Sequence, residues 1–265
     1  MNILFYKKII KAKFNTLIEY RFSFVINILV QFFAYMVTFI NIWILFSTIN
    51  ALNGWSFKEI LLLWVLNVFS YGVTGLFIYS GCTSLEEAIQ SGEFDNFLTK
   101  PLNVFWHFMF KNINLVFIFH IIFSGFILIY IFLTCGILWS WSKIAFTILL
   151  LISAVCIQAC IMIILSIITF WTTKSTAIIN TAIYGLRNFT TYPFSIYGRG
   201  IQFVLSFVIP YAFVSYLPAI YILNKSDILF MEWFKYGSPV VALILIIFTR
   251  IFWRIGIKKY NSTGN

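Results

Sequence analysis

Residues 22–46 include no charged side chain, and no other feature of the sequence constrains its fold as tightly. A helix rises about 1.5 Å per residue and the hydrocarbon core of a bilayer is about 30 Å thick, so a run of this length crosses a membrane with some tilt. It is too long for the core of a signal peptide and lacks a small-x-small cleavage site, so no cleaved leader is expected there. Uncharged apolar runs recur at residues 60–79, 113–133 and 144–170. A further apolar run, at 236–253, is interrupted by Arg250, close enough to its end to snorkel. Across the 265 residues, 62% are apolar, 21% aromatic and only 10% charged. A soluble core cannot bury such a surplus, so it must face lipid.

The fold class that follows is all-α: a polytopic membrane protein of six spans with short connections. Six spans use almost half the chain. That leaves no room for a fused soluble enzyme domain, and no G-x-x-x-x-G-K-[ST] stretch exists to cradle phosphate, so energy from ATP would have to come from another subunit. Lys and Arg number 18 against 8 Asp and Glu. In a membrane protein such an excess marks loops and anionic head groups rather than nucleic acid. Cys156 and Cys160, one helical turn apart in an apolar run, read as small buried thiols, and no metal or disulfide spacing is present.

The spans differ in detail. Gly72 and Gly75, with Ser70 and Thr74, would let a neighbouring helix approach closely. Trp139 and Trp141, in the link between the third and fourth spans, suit a membrane interface. Residues 176–223 are ambiguous, because they hold Arg187, Arg199 and the prolines Pro193, Pro210 and Pro218. Either residues 201–223 form the fifth span, despite two prolines that interrupt helix continuity, or the span lies at 176–192 and a re-entrant hairpin at 193–223 follows it. With the first choice, fourteen basic residues fall on the side of the termini and four on the other; with the second, twelve and five. Both counts put the two termini in the cytoplasm of a cell membrane.

Ahead of the first span, Tyr6, Ile10, Phe14 and Leu17 recur at helical spacing with Lys7, Lys8 and Lys11 beside them. Residues 1–21 therefore read as an interfacial amphipathic helix. The loop at 81–103 gathers Glu86, Glu87, Glu93 and Asp95. Within it, Ser84-x-x-Glu87 reads as a capping box and Gly92 as the left-handed residue that ends a short helix. So short a helix needs a partner to hold it. Phe94, Phe97 and Leu98 form an apolar run expected to be exposed there, a surface for docking. His120 stands alone inside the third span and suits packing or pathway lining rather than catalysis, with Arg187 a second charge inside the bundle. His107, between Trp106 and Phe108, reads as structural. A stand-alone channel or carrier would also explain the spans, and an intramembrane enzyme would need a carboxylate facing His120.

Four stretches resemble one family when taken together and in order. They are Gly92 to Asn103 (GEFDNFLTKPLN), Tyr192 to Tyr197 (YPFSIY), Ile209 to Ala219 (IPYAFVSYLPA) and Trp253 to Gly264 (WRIGIKKYNSTG). Their order and spacing resemble the ABC-2 family of ABC-transporter permeases, within it a six-span subfamily, over nearly the whole chain. The resemblance implies a transport subunit rather than an enzyme, working as a pair with a second permease chain and with ATP-binding subunits that bind the ATP; this chain itself is expected to need no cofactor. It implies export of a cargo, for which the aromatic content leaves a hydrophobic or amphipathic molecule open. It also implies that the loop after the second span couples to the ATPase, here through Glu86, Glu87, Phe94, Asp95, Leu98, Lys100 and Pro101, and it favours the re-entrant reading around Pro193, Pro210 and Pro218. Arg187 in the fifth span departs from the family's pattern.

Overall fold

The computed structural model describes residues 3–226 and 232–260. Of the tail motif, residues 261–264 lie outside that range. An amphipathic helix α1 (Ile3–Glu19) leads after one residue into α2 (Arg21–Thr48). In α1, Ile10 and Leu17 are half-buried while Phe14 projects outward. A tight turn with Asn53 and Gly54 at positive φ then returns the chain into α3 (Phe57–Gln90). This helix starts at a capping box that sequence reading missed, although Ser56-x-x-Glu59 has the same spacing as the one proposed at Ser84: the Glu59 carboxylate accepts the Ser56 N–H at 2.7 Å.

At 34 residues, α3 is about 50 Å long and outreaches the hydrocarbon layer. It continues through a π-helical turn at Gly75–Tyr79 to Gln90. The first ten residues of the expected loop 81–103 therefore belong to the span's own helix, and the separate capped helix at Ser84 does not exist. Inside a continuous helix Ser84 has no orphan amides to cap; its hydroxyl donates instead to the Gly81 carbonyl at 3.4 Å. Gly92, at φ 72°, does end the helix.

Helix α4 (Val104–Lys111) lies against the projecting part of α3, followed by α5 (Phe117–Thr134) and α6 (Trp141–Thr172). Gly75 earns its place against α5: a Cβ there would lie 2.0 Å from a Phe117 ring carbon, so only glycine lets the two helices come this close. Residues 176–191 are helical throughout but change from α to π at Thr181–Gly185 and to 3-10 at Leu186–Thr191. Helices α7 (Arg199–Val208) and α8 (Tyr211–Leu223) are bent by 74° at Pro210. Pro218 does not interrupt α8, because it falls in the first turn of the α-helical part, Tyr216–Leu223, where a backbone donor is not needed. Pro193 caps the 3-10 turn Phe194–Ile196. Helix α9 (Ser238–Lys259) closes the bundle against α6 and runs past Trp253, where the sequence pattern suggested an end.

Five helices among the described residues are long and apolar enough to cross a membrane, and the bent pair α7–α8 is a sixth candidate. The stretch 176–223 starts beside the end of α3 and finishes at the far end of the bundle, where Lys225 pairs with Glu59 at 2.7 Å and lies 4.5 Å over the Trp55 ring. The protein is thus an all-α multi-pass membrane protein.

Candidate functional site

At the end of the bundle that carries both termini, residues 91–103 fold back over the tip of α3. Gly92 turns the chain, the Phe94 N–H returns to the Ala88 carbonyl at 2.9 Å, and a single turn Asp95–Leu98 follows. Asn103 then caps α4 by accepting the Trp106 N–H at 3.2 Å. This fold buries Phe94 completely. Its ring meets Phe108 at 5.8 Å, Phe170 at 5.5 Å and Tyr260 at 5.2 Å, edge-on in each case. Phe97 is likewise buried, against His107 and Phe108. The expectation of an exposed Phe94–Phe97–Leu98 docking run is corrected accordingly. The loop has no water-stable helix of its own, so its two phenylalanines are consumed in seating it on α4, α6 and α9. Only Leu98 of the three is exposed, at 38%.

The acidic cluster divides in the same way. Glu86, on the last turns of α3, accepts the backbone N–H groups of Ser175 at 2.6 Å and Thr176 at 2.7 Å. Those are the first amides of the helix that starts at Thr176, and Ser175 gives them no side-chain cap, so a carboxylate from another helix fills the role. Gln90 adds a bond from its side-chain amide to the Thr173 carbonyl at 2.7 Å. Glu93 pairs with Lys111, whose ammonium also lies over the Phe97 ring at 4.9 Å. Asp95 is half-buried, whereas Glu87, Leu98, Lys100 and Pro101 are exposed. Beneath this tip His107 is buried, and desolvation, helped by Lys100 and Lys111, holds its imidazole below the ordinary value.

A second cluster lies among the spans. His120, one turn into α5, is buried between the rings of Tyr35 at 5.5 Å, Tyr71 at 5.7 Å and Phe117 at 4.9 Å. Its ring packs among aromatic side chains, and its backbone carbonyl accepts the Ser124 hydroxyl at 2.6 Å. Arg187, on the 3-10 turn, stacks on Tyr71 with its guanidinium carbon 3.9 Å from the ring centre. The polar wall continues through Thr190, which bonds Asn67 and whose carbonyl accepts from Ser215 at 3.3 Å. Tyr71 and Phe117 of this cluster share one buried core with Phe94 and Phe97 of the α3 tip, and Glu86 adds a link along the chain, because it caps the segment that ends at Arg187 and Thr190.

No curated protein and no solved structure matches the chain. A family model described as ABC-2 family transporter protein matches residues 32–264, a range that takes in the α3 tip, the Arg187 cluster and every span after the start of α2. The chain belongs to the ABC-2 transporter family, as a permease component of an ABC transporter.

Proposed function

We propose that this permease is the transmembrane half of an ATP-driven exporter: it pairs with a second permease chain, receives a separate ATP-binding subunit on the end that carries both termini, and moves a hydrophobic or amphipathic cargo. In this reading that end is cytoplasmic, as the basic-residue count suggests, the span after α6 lies at 176–192, and α7–α8 form a re-entrant element on the opposite side. ATP is held by the partner, and the exposed tip Glu87, Leu98, Lys100 and Pro101 is the surface that meets it.

The observation that carries the proposal is the way the tip is mounted. Phe94 and Phe97 fasten it to the ends of α4, α6 and α9, and Glu86 fastens α3 to the start of the 176–191 segment. A push on the exposed residues is therefore delivered to four elements at once, which suits a lever between an ATPase and a pathway that alternates its access. The test is Leu98→Asp, which adds a charge at the centre of the exposed surface without touching a span. It should cut recovery of the ATP-binding subunit with the tagged permease by about tenfold or more. Undiminished recovery and transport in that variant would remove the coupling assignment.

A further inference from the structure

Arg187 is a cation inside the bundle that makes no ion pair among the described residues. The ion pairs among the described residues are Lys111–Glu93, Lys225–Glu59 and Lys235–Glu232, all at the ends of helices. Arg187 instead rests on the face of Tyr71, and its Nη1 is buried with no hydrogen-bond partner. A second donor is left open nearby. The hydroxyl of Tyr35 is buried and unpartnered, on a side chain that is 6% exposed and packs on the same His120 ring as Tyr71; Arg187 lies within its electrostatic reach. Charged groups inside a membrane protein that serve only structure find a counter-charge or backbone carbonyls. A buried guanidinium nitrogen with no partner, and two open hydroxyls within its electrostatic reach, those of Tyr35 and Tyr211, describe a place for an anion from outside the chain.

The surroundings narrow what that anion is attached to. On one side of Arg187 and Tyr35 stand Tyr71, Phe117, Phe119 and Phe123, with Trp64 behind Tyr35, a wall that accepts alkyl chains; the polar strip of Asn67, Thr190 and Ser215, already bonded among themselves, closes the other side. Arg187 itself is only half-buried, and Tyr184 and Asn188 on the same segment are exposed, so the guanidinium can be reached from the side of the bundle. His120 of the cluster lies one turn in from the start of α5, on the side of the termini, and Tyr35 lies midway along α2, so a head group held there sits below the surface of that leaflet.

We propose that Arg187, with the Tyr35 hydroxyl, binds the anionic head group, carboxylate or phosphate, of an amphiphilic cargo entering from the leaflet on the side of the termini. This deepens the export reading and rests on it for the word cargo. The binding step needs no ATPase, so a failure here leaves the pairing with an ATP-binding subunit standing, and a failure of that pairing leaves this site testable.

The experiment uses the full chain in nanodiscs of zwitterionic phosphatidylcholine, with dodecyl phosphate as the probe and inorganic phosphate and dodecyltrimethylammonium as comparisons. Dodecyl phosphate should bind tightest of the three. Arg187→Gln should weaken it by about tenfold to a hundredfold, and Tyr35→Phe, which removes only a hydroxyl, by about two- to tenfold. The melting temperature of each variant is read in the same nanodiscs, and the tyrosine variant keeps the test open if the glutamine variant fails to fold. Unchanged affinity in folded variants would overturn the site. Inorganic phosphate binding as tightly as dodecyl phosphate would replace the amphiphile with a free anion, and equal binding of the ammonium amphiphile would reduce the effect to apolar partition; either result overturns the proposal.

Discussion

Helices α2 and α3 are almost equally apolar, yet 11% of the most apolar stretch of α2 is buried within the chain against 78% of that of α3. Hydropathy registers only that a helix can live in hydrocarbon. What separates the two is the geometry of their surfaces. Helix α3 carries Gly72, Gly75 and Gly81, each in a place where a Cβ would strike His120, Phe117 or Met109, so α5 and α4 settle directly on its backbone. Helix α2 has no glycine and projects Phe22, Val30, Phe33, Val37 and Trp43 away from the body. Because lipid tails are as apolar as these side chains, burial inside a membrane protein is decided by close packing and not by hydrophobicity.

The largest expected difference comes from shortening one phenylalanine on each side of that comparison. Phe94 folds over the end of α3 and is fully buried, whereas Phe33 on α2 is 64% exposed. Phe94→Ala should cost about 3–5 kcal/mol in unfolding free energy, by the cost of emptying a packed aromatic site. Phe33→Ala should stay within about 0.5 kcal/mol of the parent chain. Denaturant titration of the purified chain measures both, and equal losses would break the distinction. If the proposed coupling holds, the Phe94 variant should also lose the ATP-binding subunit, but through disorder of the loop, which separates it from Leu98→Asp, a variant expected to fold normally.

Enlarging small residues gives the next effect. Gly75→Ala places a methyl group against the Phe117 ring and should destabilise by about 1–3 kcal/mol as α3 and α5 are forced apart. Ala34→Leu, on the exposed face of α2, should change stability by less than about 0.5 kcal/mol. If Gly75→Ala is neutral, the close approach is not what distinguishes the helices.

These pairs also mark how far the sequence could be read. The helices over 22–46, 60–79, 113–133 and 144–170 are legible because a charge-free run of twenty residues has one physical outcome, whereas 176–223 stays open between two readings; the glycines of α3 signal close packing in the sequence itself. The Ser84 reading failed for a definite reason: Ser-x-x-Glu caps a helix only where a helix begins, and nothing local says that the preceding span has not yet stopped. The same pattern at Ser56, where a turn precedes it, was a true start. Phe94 was misplaced because an apolar residue in a polar loop looks exposed until Phe170 and Tyr260, far away in sequence, are brought over it. The roles of Glu86 and Arg187 depend in the same way on partners about a hundred residues distant, Ser175 and Thr176 for one and Tyr71 for the other. No local pattern records such pairings.

The smallest effect is one of pH, and it sharpens the comparison because α2 has no carboxylate, histidine, lysine or arginine between Phe22 and Thr48. His107 is buried beneath the α3 tip with its imidazole held below the ordinary value, first by desolvation and then by Lys100 and Lys111. An unfolded imidazole takes up its proton near pH 6.5, while the folded one resists until the pH is lower. The unfolded state therefore binds more protons in that interval, and stability rises with pH across it. The contribution is fully present above the unfolded value and is lost as the pH falls below it towards the folded value. Amide exchange, corrected for its intrinsic pH dependence, should show protection of residues 94–108 declining from about pH 7.5 to about pH 5.5. His107→Gln should flatten that decline, and α2 should show none in either chain. A decline that persists in the glutamine variant would assign the pH response to another group and leave His107 a packing residue alone.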